Sequence, residues 1–478
     1  MPGGRNYAAF HADAPTRDDE HVVGGYIGLQ NIHRDQIHET EGNRRKLKTM
    51  HEHRNRLRVI INWLKQEYPE YAEAGGVVPI SQEMVDDPNF CQHNNTEDLA
   101  YNGINVTLVK AFLGSVKRKS NGKICSFTHV RKFHDAILFG AEQAGQILPR
   151  MYHQAIHSFM ESFKKESVKA KREGNVDEMN ADPIPFELYR RFCTWSLEIG
   201  NTFMWVYSVL QWNCMGRSIS IDALGLHNLS NGSDSFKITY DDSKTDGSGE
   251  RVSPKNIYAN PFNPSVCPAT ALGIWLIGQN EKFRASNQDS LFLENGSSKS
   301  ASHRYCNQLA ELVEDHRDEV SQFCRPERVK SHGFRKGAAT HSTSGTTAPP
   351  PLPSVARRAE WSQGNVFDVY FLFAEPGDQY LGRCLAGLNQ MSEQFAVLPP
   401  HFTCGVGHAD LIAAMQLCFG NIITLFQDTS GAGLIGVLYF LLASVVFHMD
   451  SFVKPMIALN QRHPFGTIPL LLYPDLLD

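Results

Sequence analysis

The chain has 478 residues, of which 42% are hydrophobic, so it is long enough for about two or three domains and is not globally disordered. Its formal net charge of −5 argues against a uniformly basic nucleic-acid protein, although a local basic face can still bind DNA. Its ten cysteines include no Cys-x-x-Cys pair, which argues against a zinc site and favours reduced thiols in a reducing compartment.

The N-terminal part of the chain predicts an arm followed by a basic helix. Residues 1–35 mix glycine, aspartate, histidine and arginine without periodicity, which is typical of a flexible arm, and they contain no apolar signal-peptide core. Residues 44–67 predict a helix rich in arginine and lysine. That helix presents either a solvated face or a surface that contacts phosphates or directs nuclear import.

Residues 103–173 predict three helices, with Thr128 as the N-cap of the second. Basic clusters occur between or within these helices, and three such clusters in one small bundle favour a surface that faces DNA. Lysine and arginine gain free energy there by releasing counterions from the phosphate backbone. The residues predicted to contact DNA are Lys117, Arg118, Lys119, Arg131, Lys132, Lys164 and Lys165.

A polar segment that contains proline, residues 174–185, predicts a domain boundary. We therefore expect a helical, DNA-binding domain over 36–175, a second domain over 176–402 and an apolar helical extension over 403–478. The fold class expected is mainly α (α+β), in which the second domain carries a small antiparallel sheet. No internal repeat is evident.

Within the second half, residues 203–215 are apolar on nearly all sides and predict a buried central helix. Residues 235–240 alternate as a strand does, and 252–258 predict a weaker partner strand. The proline-rich run 346–353 predicts a loop. The apolar run 434–447 is shorter than the roughly 20 residues that a membrane span needs, so it predicts a buried helix.

The stretch 331–341, SHGFRKGAATH, is the most informative in the chain. It places His332 and Arg335 one helical turn apart, on a helix whose small residues allow close packing while both side chains face one cleft. The N-terminal end of such a helix also favours an anion, because its free amides and its dipole attract negative charge.

The chain supplies the groups needed for covalent attack on a phosphodiester. A tyrosine can be the nucleophile, arginines can grip the phosphate oxygens, and a lysine can protonate the leaving oxygen. Each residue alone also fits an ordinary structural role, as part of a surface ion pair, a charged turn or an aromatic core. The catalytic residues predicted are Arg217, Lys244, His332, Arg335, Trp361 and Tyr370.

In this order the residues resemble the tyrosine recombinase superfamily, whose signature is Arg, Lys, His-x-x-Arg, His or Trp, and Tyr. HGFRKGAATH is similar to the family motif H-x-L-R-H-x-x-A-T-H, and segments such as RAEWSQGNVFDVYFLF look most like the eukaryotic Crypton type. The resemblance covers about residues 200–402. Lys336 replaces a usual histidine, and Asp222 is the nearest carboxylate to an acidic position that otherwise lacks a match.

The resemblance implies a C-shaped clamp on double-stranded DNA, made of a helical core-binding domain and the catalytic domain. Tyr370 would attack the scissile phosphate to give a 3′-phosphotyrosine and a free 5′-hydroxyl, without metal, ATP or another cofactor. The expected function is that of a site-specific recombinase or integrase of a mobile element.

Strand exchange implies a dimer or tetramer on DNA, with no membrane partner. The expected location is the nucleus in a eukaryote, or otherwise the cytoplasm with the chromosome. Two alternatives stay open. One is a domesticated DNA-binding protein that no longer recombines, and the other is a type IB topoisomerase-like enzyme that relaxes supercoils as a monomer.

Overall fold

The fold is described from a computed structural model. The described residues are 47–87, 90–117, 123–176, 180–241, 252–286, 289–292, 300–361, 375–403, 405, 407–426 and 432–460. They form two compact units that divide between residues 178 and 179, and each unit has its own hydrophobic core. The predicted arm and the predicted site residues Arg118, Lys119, Lys244 and Tyr370 lie outside the described residues.

The first unit is a helical bundle with a two-stranded antiparallel ribbon, in which Val77 pairs with Leu99. The three helices predicted between residues 103 and 173 are confirmed, whereas the ribbon was not anticipated because its strands are only three residues long. The elements of this unit are α1 (Leu47–Glu67), β1 (Val77–Pro79), β2 (Glu97–Leu99), α2 (Val106–Val116), α3 (Phe127–Gln143) and α4 (Arg150–Arg172), with short helical turns at Pro69–Tyr71 and Gln82–Val85.

The N-cap of α3 differs from the one predicted. Ser126 has an extended backbone and its Oγ accepts a hydrogen bond from the amide of His129, so Ser126 is the cap. Thr128 lies inside the first turn of the helix. The prediction of Thr128 was wrong because two candidate hydroxyl residues stand close together, and only the backbone conformation decides between them.

The basic helix α1 does not present all its arginines to solvent. Arg54 is fully buried and pairs with the buried Asp98 on β2. Arg56 pairs with Glu52 one turn earlier, and the Arg58 guanidinium donates to Asn95. Arg54 is therefore a core residue that ties α1 to the ribbon, and it belongs neither to a solvated face nor to a surface that contacts phosphates.

The second unit is mainly helical around a small sheet, which confirms the predicted fold class in its coarse form. Its elements are α5 (Phe186–Glu198), α6 (Thr202–Asn213), α7 (Ser218–Asp222), β3 (Leu229–Asn231), β4 (Phe236–Ile238), β5 (Lys255–Ile257), α8 (Pro268–Ser286), α9 (Ala301–Asp315), α10 (Arg317–Ser321), α11 (Ser331–Ser344), α12 (Leu352–Arg358), α13 (Glu375–Leu385), α14 (Ala409–Leu425), α15 (Ala432–Phe447) and α16 (Lys454–Asn460).

Helix α6 lies at the centre of this unit, and every one of its side chains is buried. It packs against α5, α8 and α11, as its uniformly apolar sequence predicts. The three strands form an antiparallel sheet in the order β3, β4, β5, in which Phe236 pairs with Ile257. The two predicted strands are thus confirmed, and β5 begins at Lys255.

The proline-rich loop is shorter than predicted. Helix α12 begins at Leu352, inside the run 346–353, with Pro353 in its first turn. Proline is tolerated there because the first amides of a helix have no acceptor within the helix. The prediction that the whole run is a loop was therefore wrong at its C-terminal end.

The apolar C-terminal helices pack within the second unit. Helix α15 contacts α8 and β3, and its residues Val437, Leu438 and Leu441 are fully buried. Among the described residues, no single helix is long and apolar enough to cross a membrane. Gly433–Phe447 and Met449–Leu459 reach that length and apolar character only as a pair, which bends by 62°.

Helix α11 packs closely on the backbone that precedes α5, as its small residues predict. A Cβ atom added to Gly337 would overlap the carbonyl oxygen of Ile184, and one added to Gly333 would lie 2.7 Å from the carbonyl oxygen of Asp182. The helix can therefore approach this segment only because these positions lack side chains.

We expect Gly337→Ala to lower the free energy of unfolding by about 1–3 kcal/mol, because the added methyl group forces the backbone of Ile184 to move. Urea unfolding followed by circular dichroism measures this. Gly114→Ala is the matched control, since Gly114 also lies in a helix but has open space around it. The control should be neutral or stabilising by up to about 1 kcal/mol. Equal effects in both variants would contradict the packing argument.

Candidate active site

Arg335 is held at the meeting point of three helices. Its Nη1 donates a hydrogen bond of 2.7 Å to the carbonyl oxygen of Met215, which follows α6, and its Nη2 donates to the carbonyl oxygen of Ala359, at the end of α12. The residue is only 2% exposed. The guanidinium is therefore fixed by backbone acceptors, and within the described part of the chain it makes no ion pair with a carboxylate.

Arg217 approaches the same place from the start of α7, where it is the N-cap residue. Its Nη1 lies 3.1 Å from one carboxylate oxygen of Glu360, and the other oxygen of Glu360 lies 3.4 Å from the Nζ of Lys255. The exposed fractions of these side chains are 19% for Arg217, 7% for Glu360 and 1% for Lys255. One buried carboxylate thus bridges two cations that come from different elements.

The pKa values follow from this crowding of charge. Burial, and then the charge of Arg217, lower the pKa of Arg335 to about 10, while Glu360 acts in the opposite direction. Burial lowers the pKa of Lys255, and Glu360 opposes that shift too. Among the described residues of the site, three cations thus lie near one carboxylate, and this excess of positive charge favours a further anion.

Two residues that flank the site have left-handed backbones. Met215 has φ of 48° and Glu360 has φ of 53°, although neither is a glycine. Such conformations cost about 1–3 kcal/mol for ordinary residues and persist only where surrounding contacts impose them. The carbonyl oxygens that receive Arg335 belong to Met215 itself and to Ala359, the residue before Glu360. Both conformations belong to the turns that end α6 and α12, and the backbone hydrogen bonds of those turns hold them in place beside the arginine.

A chain of polar side chains joins the starts of α7 and α11. The hydroxyls of Ser218 and Ser331 contact each other, and the Nε2 of Gln211 donates to Ser331 Oγ at 2.8 Å. This places His332 next to the network, on the first turn of α11, with an exposed side chain. Lys336, which follows Arg335, donates to the carbonyl oxygen of Ala181 at 2.8 Å and so lies outside the cluster.

Trp361 lies beside Arg335, with 5.9 Å between the guanidinium carbon and the centre of the ring. The side chain is 46% exposed and lines a groove of about 380 Å³ together with Leu352 and Val355. A half-exposed tryptophan over a buried arginine is suited to a contact with a bound molecule, and it does not have the burial of a core residue.

The structure therefore brings together Arg217, Arg335 and Trp361 of the six predicted catalytic residues. His332 shares a helix with Arg335, while Lys244 and Tyr370 lie outside the described residues. Asp222 is not part of the site, because its carboxylate accepts hydrogen bonds from the amide and hydroxyl of Ser302 at the start of α9.

Sequence reasoning missed Glu360 and Lys255. Glu360 immediately precedes the predicted Trp361, and this adjacency to a candidate catalytic residue was a signal that it belongs to the site. Lys255 places a charge within the weaker predicted strand 252–258, and a charge in a core strand is a second available signal. The structure shows that this lysine is buried. Neither signal names the partner, since the two residues meet across 105 positions of sequence.

The residues predicted to contact DNA in the first unit have varied surroundings. Lys117 forms an ion pair of 3.1 Å with Glu166, and Arg131 lies 3.8 Å from Asp135. The other predicted residues that can be described are exposed: Lys132, Lys164 and Lys165. Among the described residues, no group of three or more histidine, cysteine, aspartate or glutamate side chains could hold a metal ion.

A second buried arginine provides a contrast with Arg335. Arg358 is fully buried and its Nη1 lies 2.6 Å from Asp378 Oδ1 on α13. Its Nε donates to the carbonyl oxygen of Asn213 and its Nη2 to that of Asn256. This cation has its own carboxylate and connects α6, β5 and α13, which is the arrangement expected of a structural ion pair.

We expect Asp378→Ala to lower the free energy of unfolding by roughly 3–5 kcal/mol, because it leaves the buried charge of Arg358 without a partner. Urea unfolding measures the change. The control is Glu314→Ala, which breaks an exposed pair with Arg317 and should cost less than about 1 kcal/mol. Similar losses in the two variants would show that Arg358 does not depend on its buried partner.

Comparison with known proteins assigns no family to the chain. No protein-family model matches the chain, and no significantly similar sequence is found among curated proteins. What the chain does must therefore be argued from the cluster of Arg217, Lys255, Arg335, Glu360 and Trp361 itself.

Proposed function

We propose that the chain is a tyrosine recombinase, a site-specific recombinase or integrase of a mobile element that cuts and rejoins double-stranded DNA. Its mainly helical fold with a small antiparallel sheet is compatible with the DNA breaking and rejoining fold of that family, of the Crypton type. Strand exchange would be carried out by a dimer or tetramer on DNA, in the nucleus if the host is a eukaryote.

The observation that carries the proposal is the convergence of Arg217 and Arg335. Arg217 pairs with the carboxylate of Glu360 at 3.1 Å, and Arg335 donates to the carbonyl oxygen of Ala359, the residue before Glu360. The charge of Arg217 lowers the pKa of Arg335, as expected for two neighbouring cations. Two guanidiniums in a poorly solvated site repel each other and are stabilised by an anion between them. A phosphodiester supplies that anion, and its developing charge in the pentacovalent state is what preorganised guanidiniums stabilise best.

In the proposed reaction the phenol oxygen of Tyr370 attacks phosphorus, and the bond between phosphorus and O5′ breaks. The phenol proton is lost, with the exposed His332 as the candidate acceptor, and the departing O5′ gains a proton from Lys244. Arg217 and Arg335 hold the non-bridging oxygens. Attack by the 5′-hydroxyl of a partner strand then restores the phosphodiester and releases the tyrosine.

The test is covalent trapping on DNA. The full chain is incubated with a library of random-sequence duplexes that carry a nick, so that a cleaved fragment diffuses away and the protein remains attached. We expect a complex that survives denaturing detergent, and peptide mapping should place the DNA on Tyr370. Attachment at another residue, or no attachment despite DNA binding, would overturn the proposal and favour a non-catalytic DNA-binding protein.

A supercoiled plasmid distinguishes the recombinase from a type IB topoisomerase-like enzyme, which forms the same phosphotyrosine. A recombinase is expected to join strands from two duplexes and to act as an oligomer. Relaxation of supercoils by a monomer, without products that join two DNA molecules, would assign the chain to the topoisomerase class instead.

A further inference from the structure

The Glu360 carboxylate occupies the place where an anion would be bound. One oxygen contacts Arg217 at 3.1 Å and the other contacts Lys255 at 3.4 Å, in a setting where all three side chains are largely buried. The Nζ of Lys255 also lies 3.9 Å from the centre of the Tyr240 ring, a cation–π contact that restricts the ammonium group. The two cations are thus spaced to hold two oxygens of one anionic group.

Glu360 lies in the turn that ends α12, and the backbone hydrogen bonds of that turn hold it in place: its amide donates to the carbonyl oxygen of Arg357 at 2.9 Å. Helix α12 ends at Arg358, Ala359 is its C-cap, and Glu360 follows in the left-handed conformation with φ of 53°. Glycine is the usual residue at this point because it adopts that conformation without strain. A glutamate is less favourable there than glycine, so the turn alone does not explain the residue type, whereas its carboxylate contacts with Arg217 and Lys255 do.

Among the described residues, the charges of the cluster do not balance. Arg217 and Lys255 both pair with Glu360, Arg335 adds a third cation beside them, and the nearby Arg358 has Asp378 as its own partner. Without Glu360, Arg217 and Lys255 would lose this carboxylate in a poorly solvated space, which is costly. Glu360 therefore stabilises the site when no external anion is present.

We propose that the Glu360 carboxylate is a built-in competitor for the anion site formed by Arg217 and Lys255, and that a phosphate group of DNA displaces it. This inference rests on the proposed function, because it specifies how the same site is kept from binding anions prematurely. It also assigns to Lys255 a direct contact with phosphate.

The sign of one measurement distinguishes a competitor from a positioning residue. If Glu360 competes, removing its charge should strengthen the binding of a small tetrahedral anion. If it only orients Arg217, the same change should loosen the arginine and weaken that binding. Inorganic phosphate is a suitable probe, because it needs neither Tyr370 nor a particular DNA sequence.

The experiment measures inorganic phosphate binding to the full chain by isothermal titration calorimetry. We expect Glu360→Gln to bind phosphate at least about tenfold more tightly than the unaltered protein. The gain should disappear when Arg217→Ala is added, which assigns it to this site. Asp182→Asn is the matched control, since it removes a carboxylate charge from Arg325 and Arg328 elsewhere in the same unit and should leave the affinity of the site unchanged.

Unchanged or weaker phosphate binding by a folded Glu360→Gln protein would overturn the inference. Should that variant not fold, Glu360→Gly provides the same test, because glycine removes the carboxylate and also the backbone strain. The two proposals fail separately. A covalent DNA complex without the phosphate effect refutes the competitor alone, whereas the phosphate effect without any covalent complex refutes the recombinase alone.

Discussion

A protein with Tyr370→Phe is expected to form no covalent complex with nicked DNA while binding DNA as tightly as the unaltered chain. The change removes one oxygen atom, which is the atom that would bond to phosphorus. Phosphate contacts by arginine and lysine provide most of the affinity for DNA, and these contacts remain. Gel electrophoresis in denaturing detergent measures the covalent complex, and a filter-binding titration measures the affinity.

The control for this variant is Tyr380→Phe. The Tyr380 hydroxyl donates a hydrogen bond to the carbonyl oxygen of Ala348 and lies in α13, outside the arginine cluster. This protein should form the covalent complex at the normal rate. A complex that persists in Tyr370→Phe would mean that another residue is the nucleophile, and loss of the complex in both variants would point to a general structural effect.

Arg335→Ala is expected to slow strand cleavage by about 10²–10³-fold, because a preorganised donor to the developing charge is lost. It should also destabilise the fold, since the carbonyl oxygens of Met215 and Ala359 lose their donor in a buried site. Arg335→Lys keeps the charge but not the planar fork, so it should recover only part of the rate. Single-turnover cleavage and urea unfolding separate the two effects.

The matched control is Arg383→Ala. Arg383 also donates to backbone carbonyl oxygens, those of Phe395 and Val397, and it pairs with Asp234. Its removal should destabilise the second unit to a comparable degree and leave the cleavage rate of the folded protein unchanged. If Arg383→Ala slows cleavage as much as Arg335→Ala does, stability and not phosphate binding accounts for the role of Arg335.

The sequence was sufficient to predict the parts of the fold that depend on local pattern. The uniformly apolar stretch 203–215 became the buried helix α6, and the alternation at 235–240 became β4. Both signals are short-range, because the pattern of apolar residues that predicts a buried helix or strand lies in consecutive positions. The sequence also singled out Arg217 and Arg335, although His-x-x-Arg alone is a weak pattern. The structure places both near Glu360, and their catalytic role stays a prediction.

The partners of those arginines were not predictable. Glu360 meets Arg217 across 143 positions, and periodicity carries no information about which distant residues will touch. Arg54 illustrates the same limit, because a basic helix gives no sign that one of its arginines will pair with the buried Asp98. Pro353 shows another limit, since proline excludes a helix interior but allows a helix start.

The atoms that surround Arg335 have a consequence for how the protein is made. Its guanidinium bonds to a carbonyl oxygen 120 residues earlier in the chain and to another 24 residues later. Contacts of such separation can form only after the intervening segments have emerged and folded. During synthesis the arginine can therefore reach its native surroundings only after residue 359 has emerged, so a chain interrupted before that point cannot assemble the cluster.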